Sequence, residues 1–151
     1  MKRSEVLRIL DANFNRSREG LRVCEEIARF VLSDEALTRG LKTARHAVSA
    51  CLAELPLAEL VAARDTRTDV GKEPSALERP RGGARDLYLA NSQRAKESLR
   101  VLEETSKLFG GSVPARCKRI RFKIYELEKR ALPKLEAVRD RRRRRGRGTA
   151  A

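Results

Sequence analysis

Asp11-Ala-Asn-Phe-Asn-Arg-Ser-Arg-Glu-Gly-Leu-Arg-Val-Cys-Glu-Glu26 carries a motif that this chain writes twice. A shift of 78 residues lays Ala90-Asn-Ser-Gln-Arg-Ala-Lys-Glu-Ser-Leu-Arg-Val-Leu-Glu-Glu104 onto Ala12–Glu26, with nine of fifteen positions identical. Most of the nine are polar: Asn13 meets Asn91, Arg16 meets Arg94, Glu19 meets Glu97, Arg22 meets Arg100, and Glu25-Glu26 meets Glu103-Glu104. A repeat kept only for packing retains its apolar positions and lets the polar ones drift. A repeated Asn-x-x-Arg-x-x-Glu-x-x-Arg series implies work for the polar side chains, on neighbouring parts of one helix face.

The surroundings of both copies are helical. From Ser4 to Leu32, Leu7, Leu10, Phe14, Leu21, Cys24, Ala28 and Val31 recur at a 3–4 spacing that only Ser17 interrupts, which predicts one long amphipathic helix. Gly20 lowers its intrinsic helix propensity by roughly 1 kcal/mol relative to Ala and permits a close helix crossing. Ser33-Asp-Glu35 reads as a helix end followed by a new N-cap. A second helix, about 35–55, carries Leu37, Leu41, Ala44, Val48, Cys51 and Leu55 and stops before Pro56.

Residues 57–63 suit a short helix, inside a connector of residues 56–84 with Pro74, Pro80, Gly82 and Gly83 and no apolar period towards its end. The second copy lies on a third helix, about 85–109, ended by Gly110-Gly111. A fourth, about 114–138, carries Cys117, Ile120, Ile124, Leu127 and Ala131, with Pro133 as a kink point. Lys42-x-x-Arg45 and Lys118-x-x-Arg121 echo the duplication on the return helices. The expectation is an all-α four-helix bundle of two repeated hairpins, about 4–55 and 85–138, forming a single domain over 1–138. A disordered, Arg-rich tail is expected at 139–151.

Charge narrows the partners. The net charge is +14, and the tail holds seven Arg against Asp140, leaving +8 on the body. That balance favours anionic partners such as phosphorylated metabolites, nucleotides or nucleic acid. Three cysteines without C-x-x-C spacing indicate neither a disulfide framework nor a zinc site, and read as small buried residues. No apolar run approaches a membrane span and the N-terminus lacks a signal-peptide pattern, so a cytoplasmic protein is expected.

Arg64-Asp-Thr-Arg-Thr-Asp-Val-Gly-Lys72 is the other concentration of chemistry. Asp65 and Asp69 with two hydroxyls suit Mg²⁺ beside a phosphate, Gly71 allows close backbone approach, and Arg64, Arg67 or Lys72 can neutralise the anion. Asx-turns and caps use the same residue types. His46, the single histidine, reads as a surface residue. The Glu-Glu pairs lack the Glu-x-x-His partner of di-iron bundles, and the further Glu-x-x-Asp motif of helical nucleotide pyrophosphohydrolases is not evident.

Taken in order, Asp11-Ala-Asn-Phe-Asn-Arg-x-Arg-Glu-Gly-Leu-Arg-Val-x-Glu-Glu26, Leu41-Lys-x-x-Arg-His46, Arg64-Asp-Thr-x-x-Asp-Val-Gly71 and Ala90-Asn-x-x-Arg-x-x-Glu-x-Leu-Arg-Val-Leu-Glu-Glu104 resemble one family. It is the small monofunctional hydroxymethylpyrimidine-phosphate kinase of thiamine biosynthesis, a domain often fused in front of thiamine-phosphate synthase. The resemblance covers about residues 4–132. It implies transfer of the ATP γ-phosphoryl group to 4-amino-5-hydroxymethyl-2-methylpyrimidine phosphate, with ATP and Mg²⁺ as cofactors.

The same resemblance implies roles for residues. Arg16, Arg22, Arg94 and Arg100, with Arg64 and Lys72, would clamp phosphates. Asp65 and Asp69, joined by Glu26 or Glu104, would hold Mg²⁺. Asn13 and Asn91 would bond the aminopyrimidine or orient the clamps, and Asn15, Glu19, Arg45, Gly71 and Glu97 complete the expected binding set. Two other classes compete: a basic helical module binding nucleic acid through body and tail, and a scaffold or homo-oligomerisation module.

Overall fold

The computed structural model describes residues 1–71 and 81–147, with residues 140–147 as backbone only. Among them are five α-helices: α1 (Arg3–Glu26), α2 (Glu35–Leu52), α3 (Leu57–Ala62), α4 (Ala84–Thr105) and α5 (Val113–Arg147). No strand occurs among the described residues, in keeping with the all-α expectation. The four long helices close a ring in the order α1–α2–α5–α4, with α1 against α4 as its most extensive contact. The apolar stripes meet inside this ring. Leu10, Phe14 and Leu21 join Leu37 and Leu41 from the first half, and Leu99, Leu102, Ile124 and Leu127 from the second, all almost wholly buried. Burying each such side chain stabilises the fold by roughly 1.5–3 kcal/mol.

α1 and α4 run antiparallel. A Cβ on Gly20 would stand 2.6 Å from the Asn91 carbonyl oxygen and 3.4 Å from Ala95 Cβ. One turn further along α1, the Cys24 thiol contacts the Tyr88 carbonyl at 3.5 Å. Advancing on one helix is therefore retreating on the other. The start of the first copy consequently lies towards the end of the second.

Several boundaries follow from local chemistry. Ile27–Val31 continues α1 as a π-helix. The wider turn shifts the helical phase, so Ile27 is buried while Phe30 and Val31 are exposed, against the expectation that Val31 joins the stripe. Ser33 then adopts a φ of +50°, and Asp34 caps α2 by accepting from the Leu37 amide at 2.9 Å. Gly110 and Gly111, at φ +72° and +81°, end the second hairpin's first arm.

Pro133 lies inside α5 without ending it. α5 also continues to Arg147, so helical backbone runs through most of the segment where a disordered tail is expected. Arginine is a good helix former, and no Pro or Gly intervenes before Gly146.

All three cysteines are free and buried, as expected. Burial pushes the Cys24 thiol up to about 12. Cys51 and Cys117 share a hydrogen bond that brings Cys51 down to about 7 and pushes Cys117 up. No described helix is long and apolar enough to cross a membrane.

Candidate active site

The duplicated residues build the same device twice. Glu25 is buried on α1 because it follows Leu21 by four residues, in phase with the apolar stripe. Its Oε1 accepts from Arg22 Nη1 at 3.1 Å and its Oε2 from Arg45 Nε at 2.8 Å. On the second half Glu103 is equally buried, and accepts from Arg100 Nη1 at 2.9 Å and Arg121 Nη2 at 2.8 Å. Each carboxylate therefore ties its own hairpin together.

Asn13 and Asn91 also behave alike, donating to the carbonyls of Ile9 and Leu87, both at 2.8 Å. Arg22 reaches Glu26 at 2.5 Å, and Arg100 reaches Glu104 at 2.8 Å. Lys107 bonds Glu104 as well and, with Arg100, holds its carboxyl below the usual range.

The polar series does not occupy one face. Each three-residue step falls about 60° short of a full helical turn, so four members wind around roughly half the circumference. Asn13 is buried, Arg16 and Glu19 are exposed, and Arg22 has swung round to the Glu25–Arg45 pair on the α2 side. Arg94 and Glu97 are likewise exposed on α4, Glu97 accepting from Gln93 Nε2 at 2.7 Å.

The connector closes on the first copy. Arg64 grips Asp11 by two bonds, Nε to Oδ2 at 2.6 Å and Nη2 to Oδ1 at 2.8 Å, which holds the guanidinium pKa above its ordinary value. Arg8 Nη2 donates to the Asp65 carbonyl at 3.3 Å. Between α1 and this loop lies a cleft of about 630 Å³ lined by Arg8, Asp11, Asn13, Asn15, Arg16, Arg64, Asp65 and Asp69, among others. Asn15 donates to the Asp11 carbonyl at 3.1 Å. Arg16 has no carboxylate partner among the described residues, which leaves its fork of donors open.

The two loop carboxylates are partly engaged. Asp65 accepts from the Thr68 hydroxyl and from the amides of Thr68 at 3.1 Å and Arg67 at 3.2 Å. These bonds hold its carboxyl below the usual range, the Thr68 side chain contributing most. Asp69 accepts from the Gly71 amide at 2.9 Å. No group of three or more Asp, Glu, His or Cys among the described residues could hold a metal ion by itself. Two hard oxygen donors do fit a Mg²⁺ whose remaining ligands are water and a ligand's phosphate oxygens, the usual manner of binding for that ion.

Of the expected set, Asn13, Asn15, Arg16, Arg64, Asp65 and Asp69 thus share one cleft. Arg22, Glu26 and Arg45 stand further along α1 and α2, in the Glu25 network. Asn91, Arg94, Glu97, Arg100 and Glu104 belong to the other half and do not line this cleft. Gly71 is exposed in the turn, and Lys72 lies outside the described residues. His46 is exposed. Asp11, Glu25 and Glu103 each anchor an arginine, a role that the repeated motif does not assign to them. The available signal was a carboxylate in phase with an apolar stripe (Leu7, Asp11, Phe14), which demands a cation inside the fold.

The model of the ThiD2 family matches residues 8–130. A thiamine-phosphate synthase of Synechocystis sp. is 46% identical over 124 residues, covering 82% of this chain and 35% of that protein. Proteins of the same name from Nostoc punctiforme and Rhodopirellula baltica are 44% and 41% identical, covering 82% and 80% of this chain. The chain spans about a third of the length of these curated relatives. Their names are those of a synthase and not of a kinase. No solved structure matches significantly.

Proposed function

The chain belongs to the ThiD2 family, and from that premise we propose that it is a phosphotransferase of thiamine biosynthesis. It passes the γ-phosphoryl group of ATP to hydroxymethylpyrimidine phosphate and yields the diphosphate. The observation that carries this reading is the cleft uniting Asn13, Asn15 and Arg16 of the first copy with Arg64, Asp65 and Asp69 of the connector.

The chemistry suits such a cleft. An oxygen of the acceptor phosphate, ionised at neutral pH, attacks the γ-phosphorus. The bond from that phosphorus to the β,γ-bridging oxygen breaks, and ADP leaves with the electron pair. No strong base is needed, in keeping with a single exposed histidine. Positioning and charge stabilisation dominate phosphoryl transfer. Arg16 supplies open donors, and Arg64, fixed by Asp11, presents its remaining N–H groups in a set direction.

Arg8, Arg16 and Arg64 are outnumbered by Glu5, Asp11, Asp65 and Asp69 around the cleft. Such a lining favours a nucleotide that arrives with a divalent cation over a bare polyphosphate. Asp65 and Asp69 would hold the Mg²⁺ of Mg·ATP, whose chemistry is to neutralise the phosphate oxygens. Asn13 and Asn15 are the amides available to a substrate ring.

A coupled assay of ADP release tests the proposal. Release should require hydroxymethylpyrimidine phosphate and fall at least tenfold in Arg16→Ala. The names of the relatives favour a second reading, formation of thiamine phosphate itself. The same protein supplied with the pyrimidine diphosphate and the thiazole phosphate decides between them. Product in that assay, with no pyrimidine-dependent ADP release, would sink the kinase reading.

A further inference from the structure

The two halves share a frame but differ in what fills it. On the second half Lys96 sits between two groups that satisfy it. Its Nζ lies 2.9 and 2.8 Å from the two Glu128 oxygens and 5.2 Å from the Tyr125 ring centroid. The repeat makes Arg18 the counterpart of Lys96 on the first half. Arg45 and Arg121, which donate to equivalent oxygens of Glu25 and Glu103, fix the register of the return helices. In that register Leu52 and Ser49 take the positions of Glu128 and Tyr125. The first half therefore has neither the carboxylate nor the phenol.

Arg18 has kept its charge without them. Its Nε is sealed from solvent and has no hydrogen-bond partner. No carboxylate among the described residues lies within ion-pair reach of it. A buried N–H of a charged group left bare is costly, and because the Arg18 side chain as a whole is only partly buried, its guanidinium can turn to an acceptor that a ligand brings and relieve that cost. Half-buried Asn15 and exposed Arg22 flank Arg18 on the helix, one turn to either side, so the polar strip continues towards the cleft at Asp11 and Arg64.

We propose that Arg18 is a phosphate-binding residue, so that the first half, along α1, receives the phosphorylated ligand while the second half satisfies its equivalent cation internally. The ligand's chemical class is a small phosphate ester or polyphosphate. The identity of that ligand rests on the kinase reading, whereas the site does not.

Calorimetric titration of the full chain with magnesium pyrophosphate, at physiological ionic strength, tests this, and an absence of binding by the unmutated chain would overturn the proposal. Arg18→Gln should weaken binding about tenfold or more, since a charge-assisted hydrogen bond is lost. Leu52→Glu, which restores the carboxylate of the other half, should do the same by occupying Arg18 from within. Arg18→Lys should lie between, keeping the charge but not the fork. Lys129→Gln, removing an exposed charge on α5, should change affinity less than about twofold.

Wild-type affinity in Arg18→Lys and Leu52→Glu would overturn the proposal, and so would equal losses in Lys129→Gln. Circular dichroism checks folding, and Arg18→Lys decides if Arg18→Gln does not fold. Binding that depends on Arg18 in a protein without pyrimidine-dependent ADP release would remove the kinase reading alone.

Discussion

Arg64 and Asp11 are joined by two parallel hydrogen bonds of 2.6 and 2.8 Å although 53 residues of chain separate them. That pairing fixes where the connector meets α1. Asp11→Asn keeps the shape and removes the charge, so the loop should lose its anchor while the helices persist. Under the kinase reading kcat/KM falls tenfold to a hundredfold, on the order expected when a binding group shifts by about 1 Å. Steady-state kinetics beside a far-ultraviolet dichroism spectrum checks this, and undiminished turnover would show that the anchor does not serve the reaction.

Gly20 and Gly40 give opposite expectations from the same contact distance. A Cβ at either would come within 2.6 Å of another atom, backbone oxygen of Asn91 for Gly20 and the Leu127 Cδ2 tip for Gly40. Backbone cannot turn aside, so Gly20→Ala should force α1 from α4 and destabilise by about 1–3 kcal/mol. A leucine tip can rotate, and Ala adds about 1 kcal/mol of helix propensity, so Gly40→Ala should be near neutral. Denaturant unfolding of the two variants measures the contrast. Equal losses would mean that Leu127 is as fixed as the backbone.

Glu25→Ala and Glu103→Ala should each cost about 3 kcal/mol, because each strands a mostly buried arginine, Arg45 or Arg121. The two losses should be similar, since each carboxylate holds one arginine of its own helix and one of the return helix. A double-mutant cycle with Arg45→Ala isolates the pair. A coupling near zero there would show that Arg22 alone suffices.

Asp65 provides a pH dependence. Its carboxyl is held below the ordinary value of about 3.9, chiefly by the Thr68 side chain. The stability that this adds to the turn is therefore complete above that value and fades only as pH falls through the lower folded value. Between pH 5 and pH 7 the loop should be unchanged. Carboxyl carbon shifts from NMR follow the titration directly, and Thr68→Val should move it upwards. An Asp65 that titrates above 3.9 in the wild type would contradict the hydrogen bonding.

Much of this architecture was legible from spacing. The 3–4 periodicity gave the four long helices, and Ser33, Asp34 and the Gly110-Gly111 pair marked their ends, because caps and breakers act locally. The π-helix at Ile27–Val31 was not legible, since no residue there announces a wider turn. The repeat identified the polar residues but not their partners. A linear pattern cannot say that Arg22 turns inward to Glu25 while Arg16 stays open, because that depends on where α2 and the connector pack. Asp11 and Glu25 read as members of a polar motif, which masks a phase with the leucines that the structure shows to be a buried one.

The close backbone approach at Gly20 lets the two hairpins hold each other without help from the exposed groups of the second copy. Arg94 and Glu97 can then be rewritten without loosening the helix packing. A protein so built has room to vary on one side, and an engineer looking for a place to attach a label or a tether would begin on the outer surface of α4.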